Sequence, residues 1–309
     1  MASATLAVLV GPSAAQTVSI GTLPQGSLAY SIASTAAKVI ADNSDLTMRA
    51  VGIGGSNIFI PQVDQGRLEM STANAVEANF ARTGTGTFPG RAHPNLRILA
   101  RLVTFQVGFM VKRDSPIQRI TDFKGQPFPS GFTSQKIVEA LVQAAFATEG
   151  MTFADVKGVP VPNFVRATDE LVSGKVVGSF LAPGSGVVRK ANARIGIRFL
   201  SMPESAANAA KVQSIAPGAF YTAVKPSKRM PYIDKPTTML GFDYLLLVGA
   251  HVDDGIAYKA AKALYENKKA LVAGHGVYRG FAPKSMGKKG IGVDYHPGSL
   301  KFYREAGIR

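Results

Sequence analysis

The sequence of 309 residues contains neither cysteine nor tryptophan. The absence of cysteine excludes disulfide bonds, thiolate metal sites and thiol nucleophiles. Four histidines are present, His93, His251, His275 and His296, and none of them stands at the short spacing that metal-binding pairs show. No apolar run approaches the length of about 20 residues that a membrane-spanning helix needs. We therefore expect no metal, no cofactor and no membrane-spanning segment in this chain.

Acidic residues are also scarce, with 20 Asp and Glu against 35 Lys and Arg, which gives a net charge of +15. The basic residues are scattered, and the two small basic groups, 225–229 and 284–289, contain no interleaved aromatic residues. This pattern does not favour a nucleic-acid partner, although a basic nucleic-acid-binding protein is the alternative that the net charge raises. A positive field of this kind also attracts small anions.

Hydrophobic residues make up 46% of the chain and charged residues 18%, as in an ordinary globular protein. The apolar periodicity predicts strands that alternate with helices in the first part of the chain. A β-α-β-α-β order implies right-handed crossovers and a parallel sheet. The predicted strands are 17–21, 46–51 and 68–72, and the predicted helices are 27–41, 57–65 and 74–80.

The same alternation returns after a predicted pair of adjacent strands at 96–102 and 106–111. The chain then predicts three more strands (127–129, 157–161 and 176–181), two helices (134–148 and 165–173), a long return strand (237–250) and three late helices (253–267, 268–273 and 296–307). The fold predicted from this order is α/β, with two lobes of the type II periplasmic-binding-protein kind joined by a hinge, and a ligand cleft between them. Residues 17–105 with 224–309 form the first predicted lobe, and residues 106–223 form the second.

Three segments read as the end of a strand that runs into a helix through Gly, Ser, Thr and Gln: 20–27, 51–57 and 129–135. A helix N-terminus carries unpaired N–H groups and a partial positive charge, and glycine lets a ligand approach the backbone closely. If the three segments converge, they form a neutral cradle for a carboxylate. The predicted ligand-binding residues are Thr22, Gln25, Gly26, Ser27, Gly54, Gly55, Ser56, Asn57, Thr133, Ser134 and Gln135.

Three further residues complete the predicted ligand site. Asn74 follows the third strand and reaches toward the cleft, whereas Glu77 is expected to face solvent or to pair with a basic residue. Phe220 and Tyr221 lie near the second crossing between the lobes, where an aromatic ring would cover a ligand. Each assignment has a structural alternative, because Ser is a favoured N-cap residue and aromatic rings commonly fill cores.

No arrangement of catalytic residues is visible in the sequence. It contains no Gly-x-Ser-x-Gly elbow, no Walker loop and no His-Glu-x-x-His motif. The pair Asp253-Asp254 is typical of a helix start, where acidic side chains interact favourably with the helix dipole. The sequence therefore indicates a binding protein rather than an enzyme.

The N-terminal stretch, residues 2–15, is small and apolar and ends in Gly-Pro followed by small residues. It is similar to the end of a signal peptide whose basic start is missing. The prediction is a truncated signal remnant over residues 1–16, with the mature chain starting near Gln16 or Thr17. A flexible tail or a first strand is the alternative.

Several segments, in order and at fixed spacing, resemble the solute-binding subunits of tripartite TRAP transporters of the TAXI group. They are 20–22 (IGT), 54–57 (GGSN), 65–69 (QGRLE), 113–117 (RDSPI), 121–125 (TDFKG), 150–156 (GMTFADV), 295–299 (YHPGS) and 302–307 (FYREAG). The resemblance runs through nearly the whole chain, although Asn74 stands where many members have Asp.

The resemblance implies a receptor in the periplasm of a Gram-negative bacterium that delivers a small organic acid to TRAP membrane permease subunits. Transport would then be driven by a sodium or proton gradient, and the ligand would be a dicarboxylate or an amino acid such as glutamate or 2-oxoglutarate. Two alternatives share the fold: a receptor of an ABC importer for a thiamine precursor or a sulfonate, and an enzyme. The enzymes of this fold use Cys or His chemistry, and the lack of cysteine counts against them.

Overall fold

The computed structural model describes residues 17–309, and the predicted signal remnant, 1–16, lies outside the described residues. The strands of the described part are β1 (Thr17–Thr22), β2 (Thr47–Gly52), β3 (Met70–Asn74), β4 (Leu96–Lys112), β5 (Pro127–Ser130), β6 (Lys157–Pro160), β7 (Gly178–Leu181), β8 (Ile197–Phe199), β9 (Phe220–Val224) and β10 (Thr237–Gly249). Its helices are α1 (Leu28–Asp42), α2 (Ser56–Asp64), α3 (Ala75–Thr83), α4 (Lys136–Ala147), α5 (Phe164–Ser173), α6 (Gly186–Ile195), α7 (Ala206–Ile215), α8 (Asp254–Glu266), α9 (Lys268–Gly274) and α10 (Pro297–Glu305).

The first three strands and helices, which we call the first set, confirm the predicted β-α-β-α-β order. Strand β1 pairs in parallel with both β2 and β3. Each strand therefore ends at the same edge of the sheet, and the helices α1, α2 and α3 begin there. Helix α1 begins after Ser27, whose hydroxyl accepts a hydrogen bond from the Tyr30 N–H at 3.0 Å.

The long strands β4 and β10 pair antiparallel along most of their length, from Leu240 opposite Val107 to Gly249 opposite Leu96. The prediction of two separate strands at 96–102 and 106–111 was wrong, because β4 continues unbroken over 17 residues. Strand β10 supplies its backbone partners up to Val107, across the predicted break, and β7 and β8 supply those of the last residues. The sheet has the order β2-β1-β3-β10-β4-β7, and β10 lies antiparallel to β3. The sheet is therefore mixed, with a parallel section formed by the first set.

The elements β5–β7 with α4–α6, which we call the second set, lie at the other end of β4. Strands β5 and β6 form a separate parallel pair, while β7 and β8 pair antiparallel with the end of β4. Strand β9 pairs with the start of β10. Helices α6 and α7 and the short strands β8 and β9 were not predicted. Helix α7 has weak apolar periodicity, and β8 and β9 are only three and five residues long. The two long strands thus connect both sets.

A cluster of phenylalanine rings forms the interior of the second set. Phe109 of β4 lies at its centre, with ring centroids 4.9 Å from Phe180 and 5.4 Å from Phe146. Phe123 and Phe128 complete the cluster at 5.3 and 5.9 Å from Phe109. Because these rings are buried, β4 is held firmly on this side as well as in the central sheet. Among the helices of residues 17–309, none combines the length and apolar character that crossing a membrane requires.

Candidate functional site

A cavity of about 50 Å³ lies between the first and the second set. A buried water needs about 10–15 Å³ by the same measure, so the cavity has room for a small molecule. Its walls come from both sets and from the long strands: Leu23, Leu28, Ala29, Asn74, Phe105, Val107, Gln135, Ile137, Val138, Leu141, Phe164, Phe180, Leu181, Ala182, Ser185, Phe242 and Tyr244. Most of these side chains are apolar, and none of the described residues that line the cavity carries a cationic side chain.

Three of the polar lining residues are the N-cap residues of helices. Asn74 precedes α3, Gln135 precedes α4 and Ser185 precedes α6. The Asn74 carbonyl oxygen accepts a hydrogen bond from the Glu77 N–H at 2.7 Å, whereas the Gln135 and Ser185 side chains make no capping hydrogen bond. The positive ends of three helix dipoles therefore lie around an apolar cavity, which suits a single negative group on a ligand.

The apolar wall is supplied largely by the two long strands. Phe105 and Val107 stand two positions apart on β4 and point to the same side of the sheet. The Phe105 ring stacks on Phe242 at 5.6 Å and lies 4.6 Å from the Tyr244 ring. These rings give the cavity a flat aromatic side, against which the carbon body of a ligand would pack.

Next to the cavity lies a buried carboxyl group, that of Glu77, which is only 2% exposed. The Ser56 hydroxyl donates to its Oε1 at 2.5 Å, and the Asn74 amide lies 3.4 Å from its Oε2. Burial raises the pKa of Glu77 to about 7, against the smaller lowering effect of the Ser56 hydrogen bond. The expectation that Glu77 faces solvent or pairs with a basic residue was wrong, because the first turn of α3 points this side chain at the start of α2.

Thr22 belongs to a second buried polar group beneath the cavity. Its hydroxyl lies 2.9 Å from the Thr72 hydroxyl, which also accepts a hydrogen bond from the Tyr244 hydroxyl at 3.1 Å. These contacts satisfy three buried hydroxyls that would otherwise be costly. Thr22 therefore holds the ends of β1 and β3 together below Tyr244.

Several of the predicted ligand-binding residues contact the opposite set directly. The Gly54 carbonyl accepts hydrogen bonds from the Asn163 amide at 3.2 Å and the Ser134 hydroxyl at 3.5 Å. The Asn57 side chain accepts from the Lys136 N–H at 3.0 Å. At the other side of the cavity, the Val187 N–H donates to the Gly26 carbonyl at 3.1 Å. These contacts close the edges of the cavity.

Gly55 is the tightest point of contact between the two sets. A Cβ atom at this position would lie 1.4 Å from the Ser134 carbonyl oxygen and 2.2 Å from its carbonyl carbon. The backbone φ of Gly55 is −176°, which any residue adopts, so space alone requires glycine here. The neighbouring Gly54 is different, since a Cβ there would meet its nearest atom only at 3.8 Å.

The remaining predicted residues lie at the rim or farther away. The Gln25 amide donates to the Tyr30 hydroxyl at 3.2 Å, Ser27 caps α1, and Thr133 is exposed. Neither Phe220 nor Tyr221 lines the cavity, and Phe220 is 37% exposed. Of the residues predicted from sequence, the structure brings Asn74 and Gln135 to the cavity wall.

Ser185 and Tyr244 are the polar lining residues that the sequence analysis did not name, and it also missed the buried Glu77 carboxyl behind Asn74. Ser185 follows β7 after Ala182, Pro183 and Gly184, and this segment has the same strand-to-helix composition as the three segments chosen from sequence. It could have been found by that rule. Glu77 could not, because nothing in the local sequence indicates that its side chain is buried.

A family model matches residues 20–307, and its description is the NMT1-like family. The chain belongs to the NMT1-like family. The match covers nearly all of the described residues, so both sets and the long strands lie within the family's common region.

Solved structures share the fold of this NMT1-like chain. MatC from Rhodopseudomonas palustris, with bound malate, has a TM-score of 0.60 and 13% identity, with 94% of this chain and 98% of that chain covered. A structure described as a periplasmic transporter has a TM-score of 0.57 and 14% identity over 94% and 92% of the two chains. A TctC solute-binding protein from Polaromonas has a TM-score of 0.50 and 14% identity over 86% and 90%. The chain thus has the predicted two-lobed α/β fold of periplasmic solute-binding proteins.

Substitution of Gly55 by alanine should hold the two sets apart, because the new methyl group overlaps the Ser134 backbone. We expect a larger radius of gyration in small-angle X-ray scattering for Gly55→Ala than for the wild type, with intact secondary structure. Gly54→Ala is the matched control, since its methyl group makes only ordinary van der Waals contacts, and it should keep the wild-type radius. Equal radii for all three proteins would contradict the close contact at Gly55.

Burial of Glu77 makes stability depend on pH. Its carboxyl is neutral in both states below about pH 4.5, and ionisation then favours the unfolded state increasingly until the pH reaches about 7. The conversion of pKa to free energy gives a loss of about 3 kcal/mol across this window. We expect Glu77→Gln to remove that loss, as measured by urea unfolding at several pH values. Glu204→Gln, the same change at an exposed site, should keep the wild-type pH dependence, and a wild-type dependence in Glu77→Gln would refute the buried carboxyl.

Proposed function

We propose that this chain is an exported, non-catalytic receptor that captures a small organic acid and delivers it to the permease of a tripartite transporter of the TAXI type. The observation that carries the proposal is the cavity enclosed by both sets, with the N-termini of α3, α4 and α6 around it. A ligand there would contact both sets at once. Binding would therefore favour the arrangement in which they touch.

The proposed lobes are residues 17–105 with 224–309, and residues 106–223. Two long strands, β4 and β10, run between them, so bending of these strands near 104–107 would open the cavity. Such hinge motions are the common response of two-lobed receptors to ligands. The hydrogen bonds from Ser134, Asn163, Lys136 and Val187 to the first set would break on opening.

The lining of the cavity favours a ligand with one carboxylate and an apolar body. Three helix N-termini favour a negative group, and the Ser185 hydroxyl makes no capping bond. The Gln135 side chain accepts a hydrogen bond from the Phe164 N–H at 3.3 Å, which leaves its amide N–H donors for a ligand. The TAXI resemblance suggests glutamate or 2-oxoglutarate, each with two carboxylates. A second carboxylate would meet the apolar wall, and burying an unpaired charge there is unfavourable.

The transporter type is proposed from the order of the segments that resemble TAXI subunits, above all the terminal one. In the structure the His296 side chain caps α10 by accepting from the Gly298 N–H at 3.2 Å, and Tyr303 donates to the Leu99 carbonyl at 2.5 Å. The terminal segment is thus built into the sheet of the first lobe. An ABC-type receptor for a sulfonate or thiamine precursor remains the second candidate, favoured by the shared two-lobed fold.

A thermal-shift screen tests the ligand class. A ligand that binds only the native state adds about 2.7 kcal/mol at 100 times its dissociation constant. We expect a larger rise in Tm with aliphatic and aromatic monocarboxylates than with glutamate, 2-oxoglutarate or succinate. Ser185→Ala should reduce the rise, whereas Ser173→Ala, at an exposed site on α5, should not. A shift with dicarboxylates alone would refute the ligand class, and no shift with any acid would refute the receptor function.

The energy source of uptake separates the two transporter types. In cells that take up the acid found in the screen, collapse of the sodium or proton gradient should abolish uptake that depends on this receptor. The control is depletion of ATP with the gradient maintained, which should leave uptake intact. The opposite pattern would overturn the TRAP assignment in favour of an ABC importer.

A further inference from the structure

A groove of about 1040 Å³ lies on the other face of the strands that line the cavity. Phe105 and Val107 of β4 point into the cavity, and the alternate residues Thr104 and Gln106 line this groove. Thr222 of β9 lies beside them, and its hydroxyl accepts a hydrogen bond from the Gln106 amide at 3.1 Å. Strand β4 therefore lies between this part of the groove and the cavity, whereas the two adjoin at Leu28, which lines both.

Three arginines from three parts of the chain converge on the groove. Arg189 comes from α6, Arg229 from the loop between β9 and β10, and Arg279 from the turn after α9. Both guanidinium groups lie close to Gly276. A Cβ atom added to this glycine would be 2.4 Å from the Nη1 of Arg229 and 2.9 Å from the Nη1 of Arg279. The lack of a side chain at Gly276 thus lets two guanidinium groups occupy the same small space.

No carboxylate neutralises these charges within residues 17–309, where the arginine ion pairs involve Arg101, Arg119 and Arg166. Residues 1–16 contain neither Asp nor Glu. Arg189 donates to the Gly184 carbonyl at 3.0 Å, which holds its guanidinium at the groove. Like charges held close together repel, and a bound anion would relieve that repulsion.

The field of these arginines reaches His275, which also lines the groove. Burial lowers the pKa of His275, and the charges of Arg189 and Arg229 lower it further. His275, Arg189 and Arg229 line the same groove, so the charges of both guanidinium groups act on one imidazole. The hydroxyls of Thr104, Thr222 and Ser227 add hydrogen-bond donors along the floor and side.

We propose that this groove is a second binding site, for a small polyanion with at least two negative groups of the phosphate or carboxylate kind, held between Arg189 and the Arg229–Arg279 pair. Guanidinium groups bind such groups through paired hydrogen bonds, so two arginines on one side and one on the other fit a ligand with two anionic ends. Arg189 belongs to the second set and Arg279 to the segment after α9, so a bound polyanion bridges separate parts of the fold.

Isothermal titration calorimetry of the full chain with inorganic pyrophosphate, at constant ionic strength, tests this site. We expect saturable binding with one site in the wild type, and a loss of affinity of about tenfold or more in Arg229→Gln/Arg279→Gln. Arg189→Gln should weaken binding as well. Arg194→Gln is the matched control, because it removes the same charge from an exposed position of α6 outside the groove, and it should bind as the wild type does.

Folding of each variant is checked by its Tm without pyrophosphate, which should not fall in the double variant because a repulsive pair has been removed. Absence of saturable binding in the wild type would overturn the proposal. Equal weakening in Arg194→Gln would also overturn it, since binding would then follow net charge alone. Binding of an acidic peptide without binding of pyrophosphate would assign the groove to a protein partner and refute the small-molecule site.

Discussion

The antiparallel pairing of β4 with β10 is the constraint on which the rest of the structure depends. Both strands run from the first set into the second, so every element on either side is positioned relative to this ribbon. Its backbone hydrogen bonds fix which side chains face the cavity. The Phe109 cluster anchors one end of the ribbon, and the pairing of β10 with β3 anchors the other. A ligand between the two sets therefore lies against a strand pair that both sets share.

The cavity combines two properties that usually occur apart. Its walls are apolar, yet the ends of three helices direct partial positive charge toward it. In surroundings of low dielectric these partial charges act more strongly than they would in water. The same surroundings penalise the nearby Glu77 carboxylate, whose pKa is raised to about 7. Attraction for an anion and protonation of the neighbouring acid therefore have one physical cause.

The sequence alone predicted the alternation of strands and helices in both sets, because the apolar spacing of these segments is regular. It also predicted a ligand site at strand-to-helix junctions, and two of the residues it named, Asn74 and Gln135, line the cavity that we propose as this site. It did not separate junctions that face a ligand from those that face the opposite set. Gly54 and Asn57 accept hydrogen bonds from protein groups, and local sequence does not distinguish such partners from a solute. The burial of Glu77 and the continuity of β4 depend on distant residues, so local patterns could not give them.

The alternation of side chains along β4 has a consequence for how this protein can change. Residues 104–107 supply the wall of the cavity and the floor of the arginine groove in turn. Loss or gain of one residue in this stretch would exchange the two faces, so that Thr104 and Gln106 would enter the apolar cavity and phenylalanine would face the groove. The segment can therefore vary by substitution at either face but not by length. The composition of the cavity wall and that of the groove floor can therefore change independently, but both depend on one register of β4.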